Sequence, residues 1–450
     1  MYAVINRLCD RFNRGSPIIL QTPNHRSFGD GAEEILYGLL RAKRENKKVL
    51  FLYPRPLLFG RLGLRVPANR EQFSLLSQYS ISNRNLVGLL GGCLLSGYLL
   101  ALRVVNTIRV SRRLRHVLRL VGLPLTTSPD PDHGYSVPTI GRTTLWVPDG
   151  IDHFSQHQVD AQRWVNQYHE YSPPRMREDR RRHAERLRVQ MGVPLSEWFV
   201  CFHVADYGEC VGRDSSLENY IDAIKAITDA GGWVVRLGDS SMRQLPPMER
   251  VIDYGFTRFK SEVMDIYLIS QCDFLFGHNS GPSEVAALFG KPLVLVNKPD
   301  WLISSPLKKG DLSIFKHVFS RSRGRFLSVK ELLEEPFPFE APSVFTDEYV
   351  STENTSEEIL EVIEEFLTKA QPFEYSDLQE TFNECRGREI RRLLEQGGPY
   401  WRGVHSKGRV VEQYRIACRG DVAGGTLGQR YLEKNWLVDS LEESSTLTRS

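Results

Sequence analysis

Short apolar runs separated by stretches of helical period dominate the middle of the chain. Residues 198–204 (WFVCFHV), 233–238 (WVVRLG), 250–254 (RVIDY), 273–277 (DFLFG) and 292–297 (PLVLVN) are bounded by turn residues and rich in β-branched and aromatic side chains. That pattern predicts buried strands. Helices are predicted between them over 217–228, around 264–269 and from Gly281 to Gly290. Strands alternating with helices in this way predict a doubly wound parallel sheet. Nearer the start, 17–21 (PIILQ) and 48–53 (KVLFLY) read as strands flanking a helix over 31–44, and TTLWVPD around Trp146 reads as a later strand of the same unit.

Length and composition set the domain count. A chain of 450 residues with 41% hydrophobic and 25% charged residues has ordinary globular composition and length for about two or three domains. The predicted division is 1–190, 191–370 and 371–450. A highly charged helix over 175–189 leads into the first boundary, and an acidic helix spans 351–368. The last part, with short helices at EIRRLLEQ and VVEQYRIA and a flexible tail, is expected to pack back across both domains, Trp401 filling the seam between them. A net charge of +3 gives no general electrostatic case for nucleic acid. Seven scattered cysteines without a CxxC pair argue against a disulfide framework or structural zinc and favour a reducing, cytoplasmic compartment. The first residues are too weakly apolar for a signal peptide. Residues 85–102 carry no charge and precede a stretch holding Arg109, Arg112, Arg113, Arg115 and Arg119. A buried helix is the simpler expectation; a peripheral contact with an anionic membrane is the first alternative and a membrane span, at the short edge of spanning length, the second.

In open parallel sheets ligands bind outside the carboxyl ends of the strands, so candidate chemistry is sought there. The turn HNSGPS follows strand 273–277 and opens a helix. Ser280 and Gly281 can offer a hydroxyl and N–H groups to phosphate at the helix N-terminus; self-capping by serine is the alternative. Pro282 costs nothing in the first turn, and Glu284 is placed to accept hydrogen bonds from a ribose diol. His203 ends strand 198–204, and Arg213 precedes the next helix. Arg236 and Asp239 end strand 233–238, and Lys260 follows strand 250–254. Cations at separate strand ends argue for an anion, although Arg213 has acidic neighbours to pair with and His203 a packing role open to it. In the first domain, TPNHRSFGDGAEE places His25 and Asp30 in or beside the turn that opens the helix. Either can take a proton from a hydroxyl, and Asp30 can equally cap the helix. Neither GxGxxG nor GxxxxGK[ST] is present at the turn, which disfavours hydride transfer and ATP hydrolysis.

The stretches VCFHVADYGE, RDSSLENYIDAI, GGWVVRLGDSSMRQLPP, VIDYGFTRFKSEVMDIYLISQCDFLFGHNSG and FGKPLVLVN resemble a bacterial family of GT-B-class glycosyltransferases and, more distantly, fucosyltransferases of that class. The resemblance covers about 198–330, with a weaker echo at LGQRYLEKNW. It implies an α/β, GT-B-like fold: two Rossmann-like parallel-sheet domains facing a cleft, with a helical C-terminal extension. The acceptor would lie against the N-terminal domain, and a nucleotide-sugar donor would sit in the second. The related fucosyltransferases have an arginine two residues after the strand-end histidine, where this chain has Ala205; Arg213 or Arg236 would have to supply that charge. No DxD motif stands at an acidic strand end, in keeping with metal-independent transfer. The expected activity is transfer of a sugar from a nucleotide diphosphate to a hydroxyl of a bacterial surface glycan or glycoconjugate, with inversion and without a cofactor. A nucleotide-sugar epimerase or hydrolase is the enzymatic alternative, and a non-catalytic sugar- or nucleotide-binding protein is the other.

Overall fold

The computed structural model describes residues 17–21, 28–51, 69, 71–72, 173–204, 215–298, 308–334, 348–369, 373–396, 403–405, 409–411 and 424–437. Contacts divide the chain into two compact units, Met1–Trp146 with Pro174–Arg177, and Val147–Pro173 with Glu178–Ser450.

The first unit contains β1 (Ile18–Gln21), α1 (Phe28–Arg44) and β2 (Lys48–Phe51). The strands pair in parallel, Ile18 opposite Lys48 and Gln21 opposite Phe51. On α1, Ala32, Ile35, Leu36, Leu39 and Leu40 are buried, the spacing that puts one apolar stripe on a helix. Among the described residues no helix is long and apolar enough to cross a membrane. The apolar and basic segments at 85–119, the strand expected near Trp146, and Trp401 lie outside the described residues.

The second unit begins with α2 (Glu178–Gln190) and β3 (Phe199–His203). A 3₁₀ turn at Leu217–Tyr220 leads into α3 (Ile221–Asp229), then β4 (Trp233–Arg236), β5 (Val251–Asp253), α4 (Glu262–Gln271), β6 (Leu275–Gly277), α5 (Gly281–Leu288), β7 (Leu293–Lys298) and β8 (Leu312–Phe315). Next come β9 (His317–Ser320), β10 (Arg325–Phe326), α6 (Val329–Glu334), β11 (Tyr349–Thr352), α7 (Ser356–Thr368) and α8 (Asp377–Gln396). The hairpin β12 (Gly403–His405) and β13 (Arg409–Val411) precedes β14 (Thr426–Leu427) and α9 (Gln429–Asn435). The charged helix α2 falls in this unit and contacts α4.

Seven strands form one sheet in the order β14-β8-β7-β6-β3-β4-β5, and every pairing in it is parallel. Even-numbered residues of its strands (Val200, Phe202, Val234, Phe276, Val294, Ile314) form one core with Ile224 and Ile227 of α3 and Ile359, Val362 and Ile363 of α7. Phe202 and Phe276 stack in it with centroids 5.2 Å apart. Odd-numbered Cys201, Val235, Leu275, Leu293 and Leu295 are fully buried as well. Cover on both faces is what a parallel sheet requires, and it explains why these strands read as continuous apolar runs.

Two elements differ from the sequence expectation. The acidic helix starts at Ser356, because Thr355 accepts from the Glu358 N–H while Glu358 accepts from the Thr355 N–H; this capping box leaves residues 351–352 to β11. The expected helix at VVEQYRIA is replaced over its first residues by β13, where β-branched Val410 and Val411 favour a strand.

The C-terminal residues complete the sheet of the second unit. β14 adds to its edge beside β8, and Glu365 of α7 caps α9 by accepting from the Gln429 N–H at 2.8 and 2.9 Å. Glu365→Ala is expected to lower stability by about 1–2 kcal/mol, measured by chemical denaturation; an unchanged midpoint would mean that water replaces the cap.

Candidate functional site

The chain runs from β3 outward to β4 and β5, then returns to the opposite side of β3 as β6 and continues to β7 and β8. The strand order therefore reverses between β3 and β6, the place where open parallel sheets leave a crevice at their carboxyl ends. His203 and Gly277, the last residues of the two strands, are paired there. Gly277 has φ 133°, and a Cβ on it would stand 2.0 Å from the His203 carbonyl oxygen. The Gly at the end of the FLFG run is thus what lets β6 close on β3. The His278 N–H donates to the His203 carbonyl at 2.9 Å and ties the following turn to the same residue.

The structure brings His203, Ser280 and Gly281 together. His203 Nδ1 lies 2.9 Å from Ser280 Oγ, and Ser280 Oγ donates to the His278 carbonyl at 3.2 Å. The helix start is capped largely from within. Ser283 Oγ accepts from the Ser280 N–H at 2.9 Å, and the Ser280 carbonyl accepts from the Ser283 and Glu284 N–H groups. Ser280 and Ser283 form a capping box, and the Ser280 hydroxyl also meets the histidine. Glu284 sits half-buried in the first turn of α5.

Charge gathers around this point. Burial is the main cause that brings the His203 pKa down to about 4; the cations of Arg236 and Lys260 act the same way, and Asp239 opposes them. Lys260, just before α4, pairs with Asp265 at 2.5 Å and lies over the Tyr254 ring. Asp239, just after β4, accepts from the Ser241 hydroxyl and N–H, and these bonds hold its carboxyl below the usual range. Arg236 is engaged elsewhere. It pairs in register with Phe202, so its side chain leaves the sheet face opposite to that of His203. Only 1% exposed, it bonds Asp253 at 3.1 Å and the Arg243 carbonyl at 2.5 Å. It contributes charge to the His203 neighbourhood and fastens the loop after β4.

Beyond the predicted residues, a buried polar network backs the turn. Tyr220 OH lies 2.7 Å from His278 Nε2 and accepts from Asn297 Nδ2 at 2.8 Å, and burial pushes the phenol pKa up. Asn297 and Asn354 bond reciprocally: each backbone N–H donates to the other's side-chain carbonyl, at 2.7 and 2.6 Å. Asn297 has φ 54°, the left-handed region that Asn tolerates best after Gly. The only sequence signal for the network was a polar residue ending each apolar run, at His278 and Asn297.

Asp30 is the third residue of α1, inside the first turn rather than ahead of it. His25 and Arg213 lie outside the described residues.

Sheet order defines the second unit as a Rossmann-like, doubly wound α/β domain whose switch point lies between β3 and β6. The sequence matches no family model and no curated protein. The structure is similar to that of a glycosyl transferase family 9 protein from Veillonella parvula (11% identity, 66% of this chain and 85% of that one, TM-score 0.35). It is similar also to Escherichia coli ADP-heptose LPS heptosyltransferase II (16%, 66% and 89%, TM-score 0.33). A third likeness is to a UDP-GlcNAc 2-epimerase from Methanocaldococcus jannaschii (10%, 65% and 64%, TM-score 0.22).

Proposed function

We propose that the protein is a GT-B-type glycosyltransferase that moves a sugar from a nucleotide-diphosphate donor to a hydroxyl of a glycan or glycoconjugate. The observation that carries this is the seating of His203 against Ser280 at the start of α5, where the strand order reverses, with the charges of Lys260 and Asp239 acting on His203. The diphosphate is assigned to Lys260 and to the Gly281 N–H, with the charge of Arg236 and the helix dipole adding attraction. The ribose is assigned to Glu284. In the transfer, the acceptor oxygen forms a bond to the anomeric carbon as the bond from that carbon to the phosphate oxygen breaks. The nucleoside diphosphate leaves with the electron pair, and the hydroxyl proton passes to Asp30 or His25. Preorganised N–H groups and cations stabilise the departing charge without a metal, and a single displacement inverts the anomeric centre.

Thermal stabilisation by one member of a nucleotide-sugar panel, followed by mass-spectrometric detection of sugar on an acceptor, is the supporting result. Isomerised donor without acceptor would make the protein an epimerase, and binding without turnover would make it a binding protein. Glu284→Ala is expected to weaken nucleoside-diphosphate binding about tenfold with unchanged thermal unfolding. Equal affinity by calorimetry would remove the ribose role.

A further inference from the structure

The hydroxyl of Ser280 has one proton and two neighbours that can accept it, the His278 carbonyl at 3.2 Å and His203 Nδ1 at 2.9 Å. If the proton went to the histidine, the oxygen of Ser280 would face the carbonyl oxygen with no hydrogen between them. If it goes to the carbonyl, the serine oxygen is free to accept from Nδ1–H, and both contacts become hydrogen bonds. The second arrangement satisfies more groups, as buried polar atoms require. It fixes the ring as the Nδ1–H tautomer and leaves Nε2 as a bare lone pair. Nε2 has no hydrogen-bond partner among the described residues, although only 6% of the residue is exposed.

We propose that Ser280 is a positioning residue that locks neutral His203 in the Nδ1–H tautomer, so that Nε2 accepts a hydrogen bond from a hydroxyl or N–H group of the ligand and does not contact its phosphate. A lone pair held toward a phosphate oxygen would be repelled, whereas a sugar hydroxyl, ribose hydroxyl or base N–H is matched to it. The surrounding charges agree. Burial, the largest cause, favours the unprotonated ring, Arg236 at the end of β4 and Lys260 before α4 act the same way, and Asp239 after β4 opposes them. The ring therefore stays neutral through the physiological range. Gly277 and the His278 N–H hold the His203 backbone, so the lone pair has a fixed origin. The ligand-facing half of this assignment rests on the function proposed above; the tautomer does not.

The test uses the full chain labelled with ¹⁵N-histidine, the His203 signals being assigned among the 11 histidines by their loss in His203→Gln. At pH 7, long-range ¹H–¹⁵N spectra are expected to show His203 neutral, with Nδ1 protonated and Nε2 bare, and to show no protonation down to pH 5. Ser280→Ala should move the ring toward the Nε2–H tautomer, and Ser280→Thr should restore the original signature, which a merely structural role would not do. An Nε2–H signature in the unmodified protein, or an ordinary histidine titration, overturns the proposal. Calorimetry with pyrophosphate and with the nucleoside diphosphates ADP, GDP, UDP and CDP then reads the ligand side. His203→Phe should weaken the best nucleoside diphosphate about tenfold and leave pyrophosphate unchanged. Equal loss for both overturns the assignment. If no nucleoside diphosphate binds the unmodified protein, the proposed function and the ligand assignment fall together, while the tautomer stands or falls on the spectra alone.

Discussion

Gly277→Ala is expected to cost the second unit on the order of 3 kcal/mol or more, read as a lower denaturation midpoint or as loss of soluble protein. Two effects add. The residue has φ 133°, and a Cβ would lie 2.0 Å from the His203 carbonyl oxygen and 2.8 Å from its carbonyl carbon. The obstacle is backbone in the middle of a parallel sheet, so it cannot swing aside as the end of a flexible side chain would. Relief requires β6 to move off β3, which breaks their pairing and the bond from the His278 N–H to the same carbonyl. Gly290→Ala is the matched control. It also has positive φ (67°), but nothing lies within 4 Å of its added Cβ. Its cost should stay near 1 kcal/mol, that of the backbone conformation alone. Equal losses at the two positions would show that the close approach of β3 and β6 contributes nothing.

The same residue shows what the sequence made legible. The β3–β7 run could be read because a doubly wound sheet buries both faces of its central strands, and an apolar run bounded by turns carries that information locally. The strand ends followed from the strands, so His203, Lys260, Ser280 and Gly281 were found as neighbours of an edge. Their partners could not be read. That the Ser280 hydroxyl meets His203 as well as belonging to the capping box of α5 depends on how closely β6 approaches β3, a non-local property. Arg236 looked like a ligand for an anion because it ends a strand. Its face is set by register with Phe202, which no local pattern encodes. Tyr220, Asn297 and Asn354 come from three distant segments, and their network exists only after the sheet has formed. The edge strand β14 was hidden for a related reason: a strand of two residues has no periodicity to detect.

Asp30→Asn is expected to reduce single-turnover sugar transfer by about 100-fold or more while leaving donor affinity unchanged. The substitution separates two roles that the residue type confounds. Asp30 is the third residue of α1, and an acidic residue type in a first turn favours a helix through its dipole. Asparagine keeps the shape and most of the hydrogen-bonding capacity of the side chain. It loses the charge–dipole attraction, about 0.3–1 kcal/mol at such a site, and it can no longer take a proton. A residue that only favours the helix will therefore show a small drop in stability and a normal rate. A general base will show nearly the reverse, a large loss of rate with little change in the denaturation midpoint. His25→Ala is measured beside it, because His25 is the other candidate base of the proposed mechanism. A loss confined to one variant assigns the proton acceptor. Near-normal rates in both would remove acceptor deprotonation from the first unit, and the donor site proposed in the second unit would then need a base of its own. His203 is a poor substitute there, since its low pKa makes it a weak proton acceptor.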